Sequence, residues 1–287
     1  MNSILFQDFS FAYQGHVQAL SHINMTIPGG SFTAVAGLNG AGKTSLCYAV
    51  SGLIPHYFGG AVGGSVTVGG LNTLQADVGK LAGRVGTVLE DYECQLLTIT
   101  AEEEVAFSLE NRGVSRTEMT AVIGEMLQLV GLAGMEKREI ASLSGGQKQR
   151  LAIAAALAQK PAILVLDEPA SALDPEGAEE LYALLARLNR ETGLTLLIVE
   201  HDLERVLPYA DQLIVLEEGR QLAAGPTPEA LSRLILAERS AVLAPPLSRL
   251  KQRLEQTSGA VFGDWLQPED AVGELFALLK AGGVKIA

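Results

Sequence analysis

The stretch that decides the fold is Gly37-Leu38-Asn39-Gly40-Ala41-Gly42-Lys43-Thr44, with Ser45 directly after it. It matches the G-x-x-x-x-G-K-[ST] pattern of phosphate-binding loops. It lies between residues 32–36, predicted as a strand, and residues 43–51, predicted as a helix. In this arrangement backbone N–H groups surround the phosphates, and the helix start faces their negative charge. We therefore expect Lys43 to reach the β- and γ-phosphates of a nucleotide and Thr44 to bind Mg²⁺; the alternative is a glycine-rich turn that matches by chance.

The composition is typical of a folded protein that does not bind polyanions. Of the 287 residues, 48% are hydrophobic and 19% are charged, close to ordinary globular values. The 21 basic and 33 acidic residues give a net charge of −12, which disfavours nucleic acid as a partner. No basic segment followed by an apolar one opens the chain, so we expect no secretory signal and a cytosolic protein. The two cysteines, Cys47 and Cys94, are expected to be small buried side chains.

Two adjacent carboxylates follow a second apolar segment. Residues 162–166 are predicted as a buried strand, and Asp167 and Glu168 come directly after it. Ligands of parallel sheets bind beyond the carboxyl ends of the strands. We expect Asp167 to hold Mg²⁺ and Glu168 to polarise the attacking water. The alternative is an acidic turn at the end of a strand.

Strands and helices alternate along much of the chain, which predicts an α/β fold with a parallel sheet covered on both faces. Residues 100–141 interrupt this order and are predicted as a helical insertion. A break is expected at Pro245-Pro246, followed by two short helices, the last of which begins at Pro268. The predicted strands are 4–13, 32–36, 162–166, 194–199 and 212–216, and the predicted helices are 43–51, 102–111, 117–130, 146–159 and 175–190.

Further motifs resemble those of ATP-binding cassette (ABC) ATPases. The segment Leu143-Ser144-Gly145-Gly146-Gln147, just before a basic helical run, looks like the signature of that family. Tyr13 precedes the phosphate loop, Asp174 follows the acidic pair, and His201 follows the next strand, in the family's order. The resemblance covers about residues 1–225. It implies a P-loop NTPase (RecA-like) core with an antiparallel β subdomain, a helical signature subdomain at about 100–160, and a mostly helical extension at 226–287.

The resemblance also implies a role for each of these motifs. ATP and Mg²⁺ would be bound by the phosphate loop, with Tyr13 stacked on the adenine and His201 in contact with the γ-phosphate. Ser144 to Gln147 would bind the ATP of an opposite subunit, so that each active site spans two chains. Asp174 would belong to the nucleotide site, and Lys43, Glu168 and His201 would act in catalysis. The alternative for a lone histidine is a structural or surface position.

One position departs from the family's pattern. Members generally carry a glutamine that contacts Mg²⁺ in the loop after the strand that follows the phosphate-loop region. Alignment of residues 85–91 to that pattern places Glu90 there, and Gln95 is the only glutamine nearby. A carboxylate can still bind Mg²⁺, so we expect Glu90 to be the ligand, with Gln95 as the alternative.

Two stretches resemble the energy-coupling-factor type of ABC transporter, namely residues 52–60 with 64–70, and residues 95–107 with Glu110-Asn111. About 100 residues separate Lys43 from Leu143. This is too few for a long coiled-coil arm, which disfavours the chromosome-maintenance relatives. A single cassette with a negative net charge also disfavours the ribosome-binding relatives, which resemble two cassettes in tandem. Within the first stretch, residues 56–58 (His-Tyr-Phe) would either cap the core or contact a partner.

The resemblance thus predicts an ATP-hydrolysing motor subunit of a membrane importer for a vitamin or a metal ion. Its expected partners are a second cassette, identical or paralogous, a transmembrane subunit whose coupling helix enters a groove, and a separate substrate-binding membrane protein. The expected location is the cytoplasmic face of the cell membrane, as a peripheral subunit. The alternative is a soluble, non-transport ABC ATPase with an assembly or regulatory role. A nucleotide-binding subunit without turnover is disfavoured, because the catalytic side chains are intact.

The last predicted helix has an apolar stripe that must be covered by something. Trp265, the only tryptophan, lies just before it. Either these side chains pack on the chain's own core, or they meet their counterparts across the dimer and hold the two cassettes together without nucleotide. The stripe consists of Val272, Leu275, Phe276 and Leu279.

Overall fold

A computed structural model describes residues 2–15, 17–237 and 240–280 of the chain, without the side chains of residues 240 and 277–280. The strands are β1 Ile4–Tyr13, β2 Val17–Ile27, β3 Phe32–Gly37, β4 Gly60–Val68, β5 Leu71–Asn72, β6 Val85–Val88, β7 Ile163–Asp167, β8 Thr195–Val199, β9 Gln212–Glu217 and β10 Arg220–Pro226. The helices are α1 Lys43–Ser51, α2 Leu53–His56, α3 Val78–Ala82, α4 Ala101–Glu110, α5 Arg116–Leu129, α6 Gly145–Leu157, α7 Pro175–Thr192, α8 Leu203–Val206, α9 Thr227–Leu236, α10 Pro246–Ser258 and α11 Pro268–Lys280.

A six-stranded sheet with the order β10-β9-β3-β8-β7-β6 forms the centre of the fold. The five strands from β9 to β6 are parallel, whereas β10 pairs antiparallel with β9. Every residue of β7 and β8 is buried, as expected for strands covered on both faces. The parallel arrangement brings the carboxyl ends of β3, β7 and β8 to one edge, which positions the site.

A second, antiparallel sheet has the order β2-β1-β4-β5. Its apolar side chains, among them Phe6 and Phe11, form one core with Leu46 of α1 and with one face of the central sheet. The sequence analysis did not predict the ranges of β2, β4, β5 or β10, and it expected β6 only from the resemblance. In β2 the alternation of buried and exposed side chains is clear only in its second half.

Helices α4 and α5 form the helical insertion predicted at 100–141, α6 follows it, and each of the three begins at a residue whose side chain caps it. Thr100, Ser115 and Ser144 each accept a hydrogen bond from the third residue of the helix, and the side chain of that residue bonds back. Their bounds differ from the predicted ones by one or two residues. Their apolar faces pack against the core that covers the other face of the central sheet.

The segment after residue 226 has two parts. Helix α9 packs on the main core through Ala230, Leu231 and Leu234. Farther along the chain, Trp265 is buried in a small separate core with Phe262, Ala271 and, at its edge, Leu275. The predicted break at Pro245-Pro246 and the two helices after it are present, with α11 beginning at Pro268.

The apolar stripe of α11 is only partly covered by this small core. Leu275 packs against it, but Val272 and Phe276 are 49% and 60% exposed. The side chain of Leu279 lies outside the described residues. The expectation that the whole stripe packs on the chain's own core is therefore wrong for Val272 and Phe276.

The expectation of two buried cysteines is correct for Cys47 and wrong for Cys94, which is exposed. Cys94 lies in a 3-10 turn after β6, where its side chain faces away from the core and its thiol donates to Asp91 Oδ2 at 3.0 Å. In the described part of the chain, no helix is long and apolar enough to cross a membrane.

Candidate active site

The phosphate loop connects β3 to α1 through glycines that no other residue could replace without strain. Gly42 has a φ of 99°, and a Cβ there would lie 2.6 Å from the backbone oxygen of Ala19. A Cβ on Gly37 would lie 2.6 Å from the backbone oxygen of Leu216. No side chain caps the start of α1, since its N-cap is Gly42. Its first N–H groups thus remain directed at the loop, as an anion site requires.

Lys43 is buried in this loop, at 7% exposure, and its ammonium group donates to the backbone oxygen of Gly37 at 2.9 Å. Burial lowers the pKa of Lys43, while the carboxylates of Glu168, Asp167 and Glu90 oppose that shift. Lys43 is therefore the positive centre of a group of three carboxylates. Such a charge can neutralise a phosphate group that enters the loop.

Asp167 ends β7 with 1% exposure, and neither of its carboxylate oxygens has a hydrogen-bond partner of normal geometry in the described residues. Burial, and then Glu168 and Glu90, raise its pKa to about 6, although the nearby Thr44 hydroxyl lowers it. A buried carboxylate without a partner, beside a hydroxyl and a second carboxylate, fits a hard divalent cation such as Mg²⁺.

In the described ranges no group of three or more His, Cys, Asp or Glu side chains is placed to hold a metal ion by itself. Mg²⁺ is usually held by one or two carboxylates together with substrate phosphates. The ligand set Thr44, Asp167 and Glu90 stays a prediction.

Glu168 and His201 come from the ends of adjacent strands and meet: His201 Nε2 lies 2.6 Å from Glu168 Oε1. Glu168 has a φ of 54°, a left-handed conformation that costs a non-glycine residue about 1 kcal/mol or more. Its backbone N–H donates to the oxygen of Val199, and its carbonyl accepts from Gln149 Nε2. The surrounding structure thus holds the backbone of Glu168 in a strained conformation. Its carboxylate is partly open to solvent, where a water molecule can reach it.

The two candidates in the loop after β6 differ in their surroundings. The amide of Gln95 is used within its own loop, because Oε1 accepts from the N–H of Leu89 at 2.8 Å and Nε2 donates to the oxygen of Thr87 at 3.2 Å. The carboxylate of Glu90 instead interacts with both Lys43 and Asp167. It opposes the lowering of the pKa of Lys43 by burial, and it contributes to the raised pKa of Asp167. This favours Glu90 over Gln95 as the residue that acts at the site.

A cavity of about 770 Å³ opens between Thr44 and the loop after β6. Aromatic rings form one side of it: Tyr48 stacks on Phe58 at 4.5 Å between centroids, and Tyr57 is 76% exposed. His56 does not take part, because its Nε2 is bonded to the backbone oxygen of Thr73. Of the three residues 56–58, His56 is therefore structural, whereas Tyr57 and Phe58 line the cavity.

Tyr13 lies beside the phosphate loop, as expected from its motif. Its hydroxyl is 3.0 Å from Ser45 Oγ, and its ring packs edge-on against Phe11 and Phe58. Part of the ring remains accessible. This position is compatible with the predicted stacking on adenine, which stays a prediction.

Ser144 to Gln147 form the start of α6, with Ser144 as the N-cap and Gln147 bonding back to it. Ser144 and Gly145 are exposed. Across the described residues no hydrogen bond or ion pair connects Ser144, Gly145, Gly146 or Gln147 to the phosphate loop of the same chain. The structure thus leaves this exposed helix start available to another molecule, and the role in an opposite active site stays a prediction.

Asp174 caps α7, where its Oδ1 accepts from the N–H of Gly177 at 2.8 Å. It is not brought into contact with Lys43 or Glu168 by any hydrogen bond of the described side chains. The geometry explains Asp174 as a helix cap, and its predicted place in the nucleotide site remains untested.

Three buried polar residues around Glu168 were not predicted as functional. Gln149, Tyr182 and Glu200 have exposures of 1%, 0% and 8%. The signal available in the sequence was Glu200, a charged residue directly after four apolar residues and directly before His201. Its significance depends on contacts from α7, which local sequence does not reveal.

Comparisons with known proteins found similar sequences and similar structures. A family model described as ABC transporter matches residues 20–171. A protein of Pyrococcus abyssi, provisionally named an ABC transporter ATP-binding protein, is 40% identical over 257 residues, 89% of this chain and 92% of its own length. The structure of cbiO1 from Clostridium perfringens, described as part of the ABC transporter complex cbiONQ, has a TM-score of 0.72 at 26% identity and covers 96% of this chain and 100% of its own. A dimer of the ATP-binding cassette MJ0796 with ADP and Pi has a TM-score of 0.70 at 28% identity, covering 78% of this chain and 98% of its own.

Proposed function

Because this chain belongs to the ABC transporter family and is an ATP-binding subunit of it, we propose that it hydrolyses ATP as the motor of an energy-coupling-factor importer for a vitamin or a metal ion. The observation that carries the hydrolysis is the 2.6 Å contact between Glu168 and His201 next to the buried Lys43 and Asp167. The importer type is supported by the similarity to cbiO1 over almost the whole of both chains.

In the proposed reaction the phosphate loop and Lys43 bind the phosphates of ATP. Glu168 accepts a proton from water, the water oxygen bonds to the γ-phosphorus, and the bond to the oxygen between the β- and γ-phosphates breaks, giving ADP and phosphate. His201 holds the Glu168 carboxylate and contacts the γ-phosphate. Thr44, Asp167 and Glu90 would hold Mg²⁺, which would supply positive charge that offsets the charge of the phosphates.

A second cassette completes each site in this proposal. The exposed N-terminus of α6, with Ser144, Gly145 and Gly146, binds the γ-phosphate held by the opposite chain through its N–H groups. The dimer of MJ0796 supports such an assembly. ATP would close the two cassettes because it binds the closed state more tightly, and hydrolysis would release them. The partner is either an identical chain or a paralogue.

The proposed membrane partner binds in the cavity between Thr44 and the loop after β6. Its coupling helix would contact the exposed Tyr57 and the Tyr48–Phe58 stack. Glu90 and Thr44, two of the proposed Mg²⁺ ligands, line the same cavity, so the helix would lie next to the nucleotide site. A separate membrane protein would bind the transported substrate. The chain itself would then be peripheral, at the cytoplasmic face of the membrane.

The hydrolysis proposal is tested by an ATPase assay with Glu168→Gln and Lys43→Ala variants. Glu168→Gln keeps the shape of the side chain but removes the base, so turnover should fall by about 10² to 10⁴ while ATP still binds. Lys43→Ala should instead weaken nucleotide binding in a direct titration. Wild-type turnover in Glu168→Gln would contradict the assignment.

The importer and the alternative, a soluble ABC ATPase with an assembly or regulatory role, are separated by purification of the full chain from its own cells under mild detergent. Co-purification of a polytopic membrane protein, lost with Tyr57→Asp, supports the importer. A chain recovered only with soluble partners supports the alternative.

A further inference from the structure

Glu200 is a buried carboxylate at the junction of four elements. It follows β8 directly and has 8% exposure. Its backbone N–H donates to the oxygen of Val35 in β3, two residues before the phosphate loop. Its side chain accepts a short hydrogen bond from the hydroxyl of Tyr182 on α7.

The same carboxylate also faces the loops that carry the reacting groups. The backbone N–H groups of His201 and Ala170 lie near enough to the carboxylate to lower its pKa. Ala170 lies two residues after Glu168, and His201, which directly follows Glu200, is the partner of Glu168 in the 2.6 Å contact. Glu200 thus lies next to both loops that carry the Glu168–His201 pair.

Burial of the Glu200 carboxylate costs free energy, because the charged group is removed from water. Burial and the nearby Glu168 raise the pKa of Glu200 to about 7, although the Tyr182 hydroxyl and the two backbone N–H groups lower it. An apolar side chain of similar volume would avoid the cost of removing a charge from water. A carboxylate offers two acceptor oxygens here, beside the Tyr182 hydroxyl that bonds it and the backbone N–H groups of His201 and Ala170.

We propose that Glu200 is a positioning residue for ATP hydrolysis: its carboxylate, fixed by Tyr182, holds the backbone at His201 and Ala170 so that the His201 ring stays on Glu168. This rests on the proposed function above. An amide keeps only one acceptor oxygen and replaces the other by an NH₂ group, so it holds the two loops less firmly. A misplacement of about 1 Å at reacting groups can cost about 10²-fold in rate, without requiring any loss of substrate binding.

The test compares Glu200→Gln, Glu200→Asp and Tyr182→Phe with Asn189→Ala in the full-length protein. Asn189 is a matched control, because it is also a buried polar residue on α7, but it bonds the oxygens of Gly30 and Leu194, away from His201. The measurements are kcat and KM for ATP, ATP affinity by direct titration, and thermal melting.

We expect Glu200→Gln to lower kcat at least about tenfold while the ATP dissociation constant changes less than about twofold. Glu200→Asp, which keeps two oxygens, should recover part of that loss. Tyr182→Phe is the milder variant, for use if Glu200→Gln does not fold. It should lower kcat and move the acidic limb of the pH profile to higher pH, because it removes a donor that stabilises the ionised carboxylate. Asn189→Ala should lower the melting temperature but leave kcat within about twofold.

Three outcomes would overturn the proposal. One is a kcat of Glu200→Gln equal to that of the wild type, and another is an equal loss of kcat in Asn189→Ala, which would mean a general effect of stability. Either of these, with Glu168→Gln inactive, leaves the proposed ATPase function intact. The third is a wild type whose ATP hydrolysis does not differ from that of Glu168→Gln, which would overturn both proposals.

Discussion

Gln149 Nε2 donates a hydrogen bond of 3.3 Å to the backbone carbonyl of Glu168. Gln149 lies in the second turn of α6, whose first turn is the exposed start capped by Ser144. A helix transmits displacement along its axis because its backbone is hydrogen-bonded throughout. Binding at the start of α6 would therefore reach the proposed catalytic base through one side chain.

Gln149→Leu should lower ATP turnover several-fold without lowering the melting temperature. The variant loses one hydrogen bond, which is worth about 1 kcal/mol. It also removes the buried Oε1 of Gln149, which has no partner in the described residues. Such an unpaired atom costs the wild type about 1–3 kcal/mol, so its removal offsets the lost bond. The control is Gln159→Leu, since Gln159 Nε2 makes an equally long bond to the oxygen of Ser108, away from Glu168. Unchanged turnover in Gln149→Leu would mean that this bond carries no coupling.

The raised pKa of Asp167 predicts a pH-dependent effect of Asp167→Asn on the free energy of unfolding, measured without Mg²⁺ or nucleotide. Its pKa is about 6 in the folded chain and 3.8 in the unfolded one, so the folded state holds the proton more tightly. Stability due to this group therefore decreases as pH rises from about 4 to 7. Above pH 7 the variant should be more stable than the wild type, by up to about 3 kcal/mol, with little difference at pH 4.

Chemical denaturation at a series of pH values, with a chelator present, measures this difference. A constant difference across the range would mean that the buried carboxylate does not titrate as stated. In the same variant, Mg²⁺-dependent ATP hydrolysis should be lost, because an amide is a weaker ligand for a hard cation than a carboxylate.

Much of this site could be predicted from the sequence, because its motifs are local. The phosphate loop, the Asp167–Glu168 pair and the cap at Ser144 depend on residues close together in the chain. The contact of His201 with Glu168, and that of Tyr182 with Glu200, join different elements, and their pairing is fixed by the order of strands in the sheet. Among the strands that were missed, β2 and β10 lie at sheet edges, where exposed side chains blur the alternation.

Ser144→Arg should leave ATP binding by the single chain intact but prevent ATP-driven dimerisation, because a long cation would occupy the place of the opposite chain's γ-phosphate. It also removes a helix cap, which costs about 1 kcal/mol. Ser115→Arg is the matched control, since Ser115 caps α5 with the same reciprocal pattern. Sedimentation with ATP, in a Glu168→Gln background that slows hydrolysis, measures the dimer. Loss of nucleotide binding in monomeric Ser144→Arg would contradict a role in the opposite site.

The extension after residue 237 is predicted to hold two chains together without nucleotide through the exposed part of α11. Val272 and Phe276 lie four residues apart, on one face of the helix, and both are about half exposed or more. A truncation near Glu229 would also remove Ala230, Leu231 and Leu234 from the main core, so it would test folding rather than association. Point variants avoid that difficulty.

The double variant Val272→Asp with Phe276→Asp should lower nucleotide-free dimerisation, because two carboxylates replace apolar contacts, while ATP affinity stays unchanged. Val261→Asp is the control, as Val261 is 93% exposed in the loop between α10 and α11 and does not lie on α11. Leu275→Asp should behave differently from both and lower the melting temperature, because Leu275 packs against the small core around Trp265. Sedimentation without nucleotide decides the matter: a double variant as dimeric as the wild type would exclude this face of α11 as the contact between the chains.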